Sequence, residues 1–313
     1  MGRLATLVAV LGSVAIPFVV ENSYIVNVCI VIFIFVILSV GLDLVLGYCG
    51  QYSFAQGAFY GIGAYTAAIL YNNFDLSFWV TMPAGILSAG LFGLLLAIPS
   101  LRLAGHFLAI TTIAFQTIVY LLLTQWTELT GGQYGLPMRP IEPLSLFGFE
   151  VLRVEGTTSF YFLAFAAMAV AVLIAQRLAG SRLGAEWKAI HDDELLARAI
   201  GLNATRNKIV AFVASAALAG AGGVLIAYYL GSVYPTDFSI WTSATVVAMV
   251  VVGGRATIIG PIIGAVIFTA MPEVLRATQD YKLIIYGLLM ILAITFLPDG
   301  AVGGVRRLIR ARS

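Results

Sequence analysis

The chain is poor in charged residues. They make up 10% of its 313 residues, against about 25% in a typical soluble domain. Hydrophobic residues make up 61%, and apolar runs of about 17 to 22 residues, long enough to cross a bilayer, recur from end to end. This composition excludes a soluble globular protein and predicts an all-α polytopic membrane protein.

Residue types that build catalytic and metal sites are scarce as well. The chain has two cysteines, Cys29 and Cys49, and both lie in or beside apolar runs, where packing is a better interpretation than a disulfide or a metal site. The sequence contains no Gly-x-x-x-x-Gly-Lys-Ser/Thr loop to hold ATP, no His-Glu-x-x-His zinc motif and no Gly-x-Ser-x-Gly elbow. We therefore predict no catalytic residues, no cofactor and no metal. The net charge of +2 says nothing about nucleic acid, because the basic residues cluster at membrane edges, and no nucleic-acid partner is predicted.

The apolar runs define membrane segments along the chain. They are Leu4–Val20, Ile25–Leu46, Phe78–Ile98, Leu103–Leu123, Phe160–Leu178, Ile209–Leu230 and Leu283–Leu297, with a further run that ends near Tyr71 and an interrupted segment, Ser243–Leu275. The first is interpreted as a retained span, because no Ala-x-Ala cleavage site follows it. If the interrupted segment counts as two passes or a re-entrant hairpin, the prediction is about ten transmembrane or re-entrant helical segments.

Basic residues set the orientation of these segments. When passes alternate, Arg102, the segment Arg177–Lys208 and the arginine-rich tail Arg306–Arg312 fall on one side, which the positive-inside rule assigns to the cytoplasm. Both termini are then cytoplasmic. The domain prediction is a single transmembrane domain, 1–313, with an extracytoplasmic loop, 124–159, and a cytoplasmic loop, 179–208.

A helix is predicted inside the cytoplasmic loop. Ala185–Ile200 contains good helix formers and no proline, and Gly201 stops the run as a C-terminal cap. One face collects apolar residues: Leu195, Leu196, Ala199 and Ile200. A short amphipathic helix tethered by a span on either side can dock into a groove of another protein. The alternative is a solvated loop that rests on the lipid headgroups.

Two glycine-rich interruptions, Gly47–Gly63 and Gly253–Gly264, place polar residues and broken helix geometry at membrane depth. Such geometry is tolerated where protein or a water-filled cavity surrounds it, and interrupted segments commonly line a translocation path. The alternative is close helix packing through Gly-x-x-x-Gly spacings. We expect the two interruptions to lie close together and to border the path. The candidate path residues are Gly47, Gln51, Ser53, Gln56, Gly57, Gly61, Gly254, Thr257, Gly260 and Pro261.

Asp43 is the acid most deeply embedded in apolar sequence. At the centre of a bilayer an acid costs on the order of 3 kcal/mol on insertion scales. Because Asp43 lies near the end of a span, an interfacial or structural role is about as good an interpretation as a role in the path. A role in the path would suit a secondary transporter coupled to protons or sodium.

Taken together, several motifs resemble the permeases of ABC transporters for branched-chain amino acids, in particular the LivM-like branch. The resemblance is carried, in the family's order, by Gly41–Ser53 with Gly61–Tyr65, Thr130–Leu136, Ala189–Asn203 and Gly253–Pro261. Asp43 stands where the family pattern has asparagine, and Tyr52 where it has leucine or a similar residue.

The resemblance implies a permease subunit of an importer in the cytoplasmic (inner) membrane of a bacterium or archaeon. It implies a path for branched-chain or related amino acids, a second homologous permease, two ABC ATPase subunits that bind ATP, and an extracytoplasmic binding protein that delivers the substrate. The permease itself is then not an enzyme. Related systems carry other amino acids, amides or urea. The candidate contacts with the ATPase are Ile190, Asp193, Glu194, Leu195, Leu196, Ala199, Ile200 and Gly201.

Two other functions stay open at this point. An ion- or proton-coupled secondary transporter would use Asp43 and the broken segments. A non-transporting structural subunit of a membrane redox complex is supported by composition alone.

Overall fold

The computed structural model describes residues 23–100, 106–141, 144–146, 149–152, 156–274 and 287. The predicted first span Leu4–Val20, the turn at Arg102, the last span Leu283–Leu297 apart from residue 287, and the arginine-rich tail lie outside these residues. The long helices are α1 (Ser23–Asp43), α2 (Gln56–Phe74), α3 (Phe78–Ser100), α4 (His106–Gln125), α6 (Gly156–Ala179) and α9 (Ala204–Leu230). The shorter ones are α5 (Thr127–Thr130), α7 (Arg182–Asp192), α8 (Glu194–Ala199), α10 (Ile240–Gly253) and α11 (Ile259–Val274), with a π-helix at Leu44–Tyr48 and 3₁₀ turns at Gly132–Tyr134 and Pro235–Phe238.

Five of the described helices are long and apolar enough to cross a membrane. They are Tyr24–Tyr48, Phe78–Pro99, Phe107–Gln125, Gly156–Ala179 and Ala204–Leu230. Large apolar side chains on their outer faces, such as Leu87 and Leu91 in α3, are exposed, as expected where the neighbour is lipid. The prediction of a polytopic helical membrane protein is therefore confirmed.

Helix α9 lies at the centre of the bundle and packs against α1, α2 and α3. Small residues make this approach possible. A Cβ added to Gly220 would come within 2.5 Å of the Cβ of Ala89, and one added to Gly223 would collide with the carbonyl oxygen of Tyr60. Without a hydrophobic driving force between helices in lipid, such close backbone contact supplies much of the packing energy.

The prediction of an all-α fold is not fully met, because the described residues also form four short strands. Strand β1 (Leu136–Pro137) pairs antiparallel with β4 (Ser232–Val233), and β2 (Leu144–Leu146) pairs with β3 (Phe149–Leu152). These short ladders lie where helices end, and they pair backbone groups that no helix satisfies. The first ladder ties the predicted extracytoplasmic loop, 124–159, to the connection that follows α9.

Both interruptions are shorter than predicted, because glycines at their ends are helical. Residues 49–55 separate the π-helix from α2, and residues 254–258 separate α10 from α11. In the second interruption the packing interpretation of the glycine spacing is correct. A Cβ on Gly264 would collide with the carbonyl group of Met249, and one on Gly253 with that of Gly260, so these glycines bring α10 and α11 into backbone contact.

Candidate transport path and cytoplasmic docking module

The chain breaks between α1 and α2 inside the protein. Helix α1 continues into the π-helix Leu44–Tyr48, and non-helical residues follow until α2 begins at Gln56. A π-helix is a rare geometry that is frequent at functional sites. Gly50 has a φ of +69°, a conformation that glycine adopts without strain. This chain break, defined as residues 49–55, was predicted only as part of a longer glycine-rich stretch.

Buried polar side chains meet where α2 begins. The Nε2 of Gln56 donates to the carbonyl oxygen of Leu38 in α1 at 2.9 Å, and the Oγ of Ser215 donates to the Oε1 of Gln56 at 3.1 Å. Ser215 lies near the middle of α9, so α2 begins deep in the bundle. Gln56 is fully buried, and these bonds satisfy its amide where water is absent.

A second set of hydrogen bonds joins the first turn of α2 to α4 and α10. The amide of Gly57 donates to the Oγ of Ser243 at 2.8 Å, and that hydroxyl donates to the Oε1 of Gln116 at 3.0 Å. The Nε2 of Gln116 donates to the carbonyl oxygen of Phe238 at 2.6 Å. Sequence reasoning missed Gln116, Ser243 and Ser215, although a polar side chain within an apolar span is itself a signal.

The prediction that the two interruptions lie close together is confirmed, because a Cβ on Gly47 would collide with the backbone amide of Ala256. The backbone amide of Ala256 donates to the Oδ1 of Asp43 at 2.9 Å, and the Oγ of Ser39 donates to the carbonyl oxygen of Pro261 at 3.2 Å. The turn between α10 and α11, residues 254–258, is also held against the end of α1 by these two hydrogen bonds. Asp43 is 1% exposed, and its Oδ2 has no hydrogen-bond partner among the described residues.

The predicted path residues of the second interruption mainly build the start of α11. The Oγ1 of Thr257 donates to the carbonyl oxygen of Gly254 at 2.8 Å and accepts from the amide of Gly260 at 3.1 Å. Thr257 thereby caps the helix, as Thr does at many helix N-termini. Gly254, Gly260 and Pro261 are buried, and Thr257 is half-buried.

The predicted path residues of the first interruption divide into buried and accessible positions. Gly47, Ser53 and Gly61 are buried, like Gln56 and Gly57. Gln51 is half-buried, and the neighbouring Tyr52 is exposed. The guanidinium of Arg255 donates to the Tyr52 hydroxyl at 3.3 Å. The accessible surface of the two interruptions therefore lies around Gln51, Tyr52 and Arg255.

The prediction of one helix over Ala185–Ile200 is wrong, because the segment folds as two helices, α7 and α8. Asp193 separates them with an extended backbone, φ −155° and ψ 106°. Its Oδ1 accepts from the amides of Leu195 and Leu196 at 2.9 and 3.0 Å. Asp favours such N-caps over a helix interior, because its carboxylate satisfies free backbone N–H groups.

Helix α8 exposes the predicted apolar face. Leu195, Leu196 and Ile200 are 80%, 62% and 69% exposed, and Ala199 beside them is exposed as well. These four residues are called the docking patch below. Gly201 follows them with a φ of +88°, so the predicted left-handed cap is confirmed.

Two of the predicted ATPase contacts are occupied within the chain. Ile190 is 3% exposed and packs in a small core, so it is not on the docking face as predicted. Glu194 pairs with Lys208 at 2.8 Å and with Arg198 at 2.7 Å. Burial raises the pKa of Glu194, but the hydrogen bonds from Lys208 and Arg198 outweigh burial and hold this pKa below its usual value. Glu194 thus anchors α8 to α9.

Comparison with known proteins now identifies the family. Residues 24–294 match the model of the permease component of branched-chain amino acid transport systems. The chain belongs to this family. The permease is 36% identical to the high-affinity branched-chain amino acid transport system permease protein LivM of Salmonella typhimurium and 35% identical to LivM of Escherichia coli, over 96% of this chain and 75% of each relative. It is 26% identical to LivH of Salmonella typhimurium, over 86% of this chain and 91% of LivH. No solved structure matches it.

Membership confirms the resemblance and gives the permease a coarse function. It is a LivM-like, multi-pass membrane protein from a family of transport components. Its similarity to both LivM and LivH indicates a second, homologous permease in such a system. The redox-complex alternative is contradicted by this membership.

Proposed function

We propose that the permease is the transmembrane subunit of an ABC importer for branched-chain or related amino acids in the cytoplasmic (inner) membrane of a bacterium or archaeon. Two separate ATPase subunits supply the energy, a proposal that agrees with the lack of the usual phosphate-binding loop in this sequence. An extracytoplasmic binding protein supplies the amino acid, and the permease needs no cofactor of its own. The names of the LivM relatives support the class of substrate.

The observation that carries this proposal is the docking patch. Large exposed apolar side chains on a segment between spans need a partner, and contiguous patches of this kind mark interaction sites. The ion pair between Glu194 and Lys208 already holds α8 in place, so little conformational entropy is lost on binding. We assign the patch to contact with an ATPase subunit on the cytoplasmic side.

The experiment is a pull-down of the ATPase subunit by permease variants. Leu196→Glu places a charge in the docking patch, and loss of the leucine contact alone weakens binding by about 1.5 to 3 kcal/mol, at least about tenfold. Ala185→Glu introduces the same residue at an exposed position of α7 and serves as the control. A helix that only rests on lipid headgroups would give equal recovery in both variants, and that result would contradict the proposal.

We place the translocation path along the chain break and the α10–α11 turn. Two features support this placement. The break interrupts the regular helix between α1 and α2. Beside it the exposed Tyr52 accepts a hydrogen bond from Arg255, next to the half-buried Gln51. The hydrogen bonds of Gln56 with Leu38 and Ser215 fix the end of the chain break where α2 begins.

A proton- or ion-coupled secondary transporter is the second candidate. It is favoured by one observation, the unpartnered and buried Oδ2 of Asp43. The two candidates differ in what the chain does alone. Uptake of leucine by the purified permease in liposomes without ATP supports the second candidate and contradicts the first.

A further inference from the structure

Helices α7 and α8 form one module, and its α7 helix touches the chain break directly. The ring of His191 lies against the backbone of Gly50, so close that a Cβ on Gly50 would come within 2.6 Å of the ring Cδ2. One turn earlier in α7, the Nζ of Lys188 lies 5.3 Å from the centre of the Tyr48 ring, within the range of a cation–π interaction. Residues three apart share a helix face, so Lys188 and His191 form one contact surface.

The module is fastened so that α7 and α8 move together. The Nε1 of the fully buried Trp187 donates to the carbonyl oxygen of Asn207 at 3.0 Å, and the Nδ2 of Asn207 donates to the Oε2 of Glu186 at 2.8 Å. The ion pair of Glu194 with Lys208 holds α8 to the same first turns of α9. The docking patch and the His191 contact therefore belong to one rigid unit.

The residues that Lys188 and His191 contact, Tyr48 and Gly50, lie in the least regular part of the first described span. Tyr48 ends the π-helix, and Gly50 has a left-handed backbone. Asp43, immediately before the π-helix, holds the amide of Ala256 in the α10–α11 turn. A displacement of Tyr48 and Gly50 therefore reaches both interruptions.

We propose that Lys188 and His191 are positioning residues that carry a displacement of the docking patch to the chain break. The inference rests on the proposed function, since the patch is displaced only if an ATPase holds it. The route is short: Asp193 joins α8 to α7, and His191 lies two residues before it. Because the backbone at Tyr48 and Gly50 is not regular α-helix, the break can respond without unfolding one.

The test uses the transporter assembled with its partner chains in liposomes, with labelled leucine as the probe. The quantity measured is leucine taken up per ATP hydrolysed. His191→Ala and Lys188→Ala are expected to bind the ATPase normally and to lower this ratio about fivefold or more, the lower end of coupling between sites. His191→Phe keeps a flat ring against Gly50 and should keep the ratio. Arg182→Ala, at the other end of α7 in an exposed ion pair, is the control.

Two results overturn the inference. One is an unchanged ratio in both His191→Ala and Lys188→Ala. The other is a loss in His191→Phe equal to that in His191→Ala, because shape is then not what the contact supplies. Because the ratio refers to ATP hydrolysed, it is independent of how much transporter assembles. Normal ATPase binding by Leu196→Glu would defeat the proposed function instead. Weak binding by Leu196→Glu, with a normal ratio in both His191→Ala and Lys188→Ala, would defeat this inference alone.

Discussion

At the scale of single residues, Asp43 is the sharpest test of how the transporter is energised. Its Oδ1 accepts from the amide of Ala256, whereas its Oδ2 has no partner among the described residues. Asp43→Asn keeps the acceptor, the shape and the burial, and asparagine is the residue that the family resemblance leads us to expect here. If ATP drives the cycle, no proton relay is needed, and we expect uptake and assembly close to wild type, measured as leucine uptake per assembled complex.

A matched variant separates the structural role of Asp43 from a role in coupling. Asp43→Leu removes the acceptor and leaves the amide of Ala256 unpaired, at a cost of about 1 to 3 kcal/mol, which a thermal unfolding assay detects. If Asp43→Asn assembles normally but does not transport, Asp43 is a coupling acid and the secondary-transporter interpretation gains.

At the scale of elements, α8 depends on an ion pair whose two partners are unequally buried. The side chain of Lys208 is 5% exposed and that of Glu194 is 29% exposed. Glu194→Gln leaves a buried ammonium group without its anion, whereas Lys208→Met leaves a partly solvated carboxylate that still pairs with Arg198. We therefore expect Glu194→Gln to lower the thermal stability more than Lys208→Met. Equal losses would contradict the argument from unequal burial, and no loss in either variant would show that the pair is not the anchor of α8.

The pH dependence of this anchor has a defined sign. The pKa of Glu194 is lowered in the folded protein from its ordinary value of 4.5. The stabilisation is therefore fully present above that value and is lost as the pH falls through the lowered pKa. The stability difference between wild type and Glu194→Gln should accordingly shrink below pH 4.5, as followed by thermal unfolding at a series of pH values.

The two glycine spacings make different predictions, because different atoms surround them. A Cβ on Gly61 would lie 3.0 Å from the side chain of Phe238 and 3.3 Å from Leu123, whereas one on Gly260 would collide with the backbone carbonyl of Gly254. Side chains yield more easily than backbone, so Gly260→Ala should reduce leucine uptake more than Gly61→Ala. Leucine at either position should block close packing. Normal assembly and uptake in both leucine variants would place the path elsewhere.

Periodicity and composition predict the helices of this permease better than the breaks between them and the contacts that join them. The apolar runs predict the spans and Gly201 predicts the end of α8, because these signals are local. The break at Asp193 was missed although its capping signal is local too; good helix formers on both sides concealed it. The bonds of Gln56 to Ser215 and of Gln116 to Phe238 span 159 and 122 residues, and no local pattern reports such a pairing.

At the scale of the whole molecule, α9 connects the two sites. Its first turns hold α7 and α8 through Asn207 and Lys208, and its middle holds the start of α2 through Ser215 and Gln56. Helix α9 is attached to α7 and α8 at its start and to α2 at its middle. It is therefore suited to transmit a displacement of α7 and α8 to the start of α2.

The last prediction therefore concerns the assembled transporter. Affinity purification of the permease from native membranes should recover a second, homologous permease and an ATPase subunit. Leucine uptake into liposomes should require that ATPase, ATP and the extracytoplasmic binding protein. Because the proposed importer takes its energy from ATP bound by a partner subunit, the permease alone should give uptake no faster than empty liposomes, whatever proton or sodium gradient is imposed. Gradient-driven uptake by the lone chain, abolished by Asp43→Asn, would overturn the importer and establish the secondary transporter in its place.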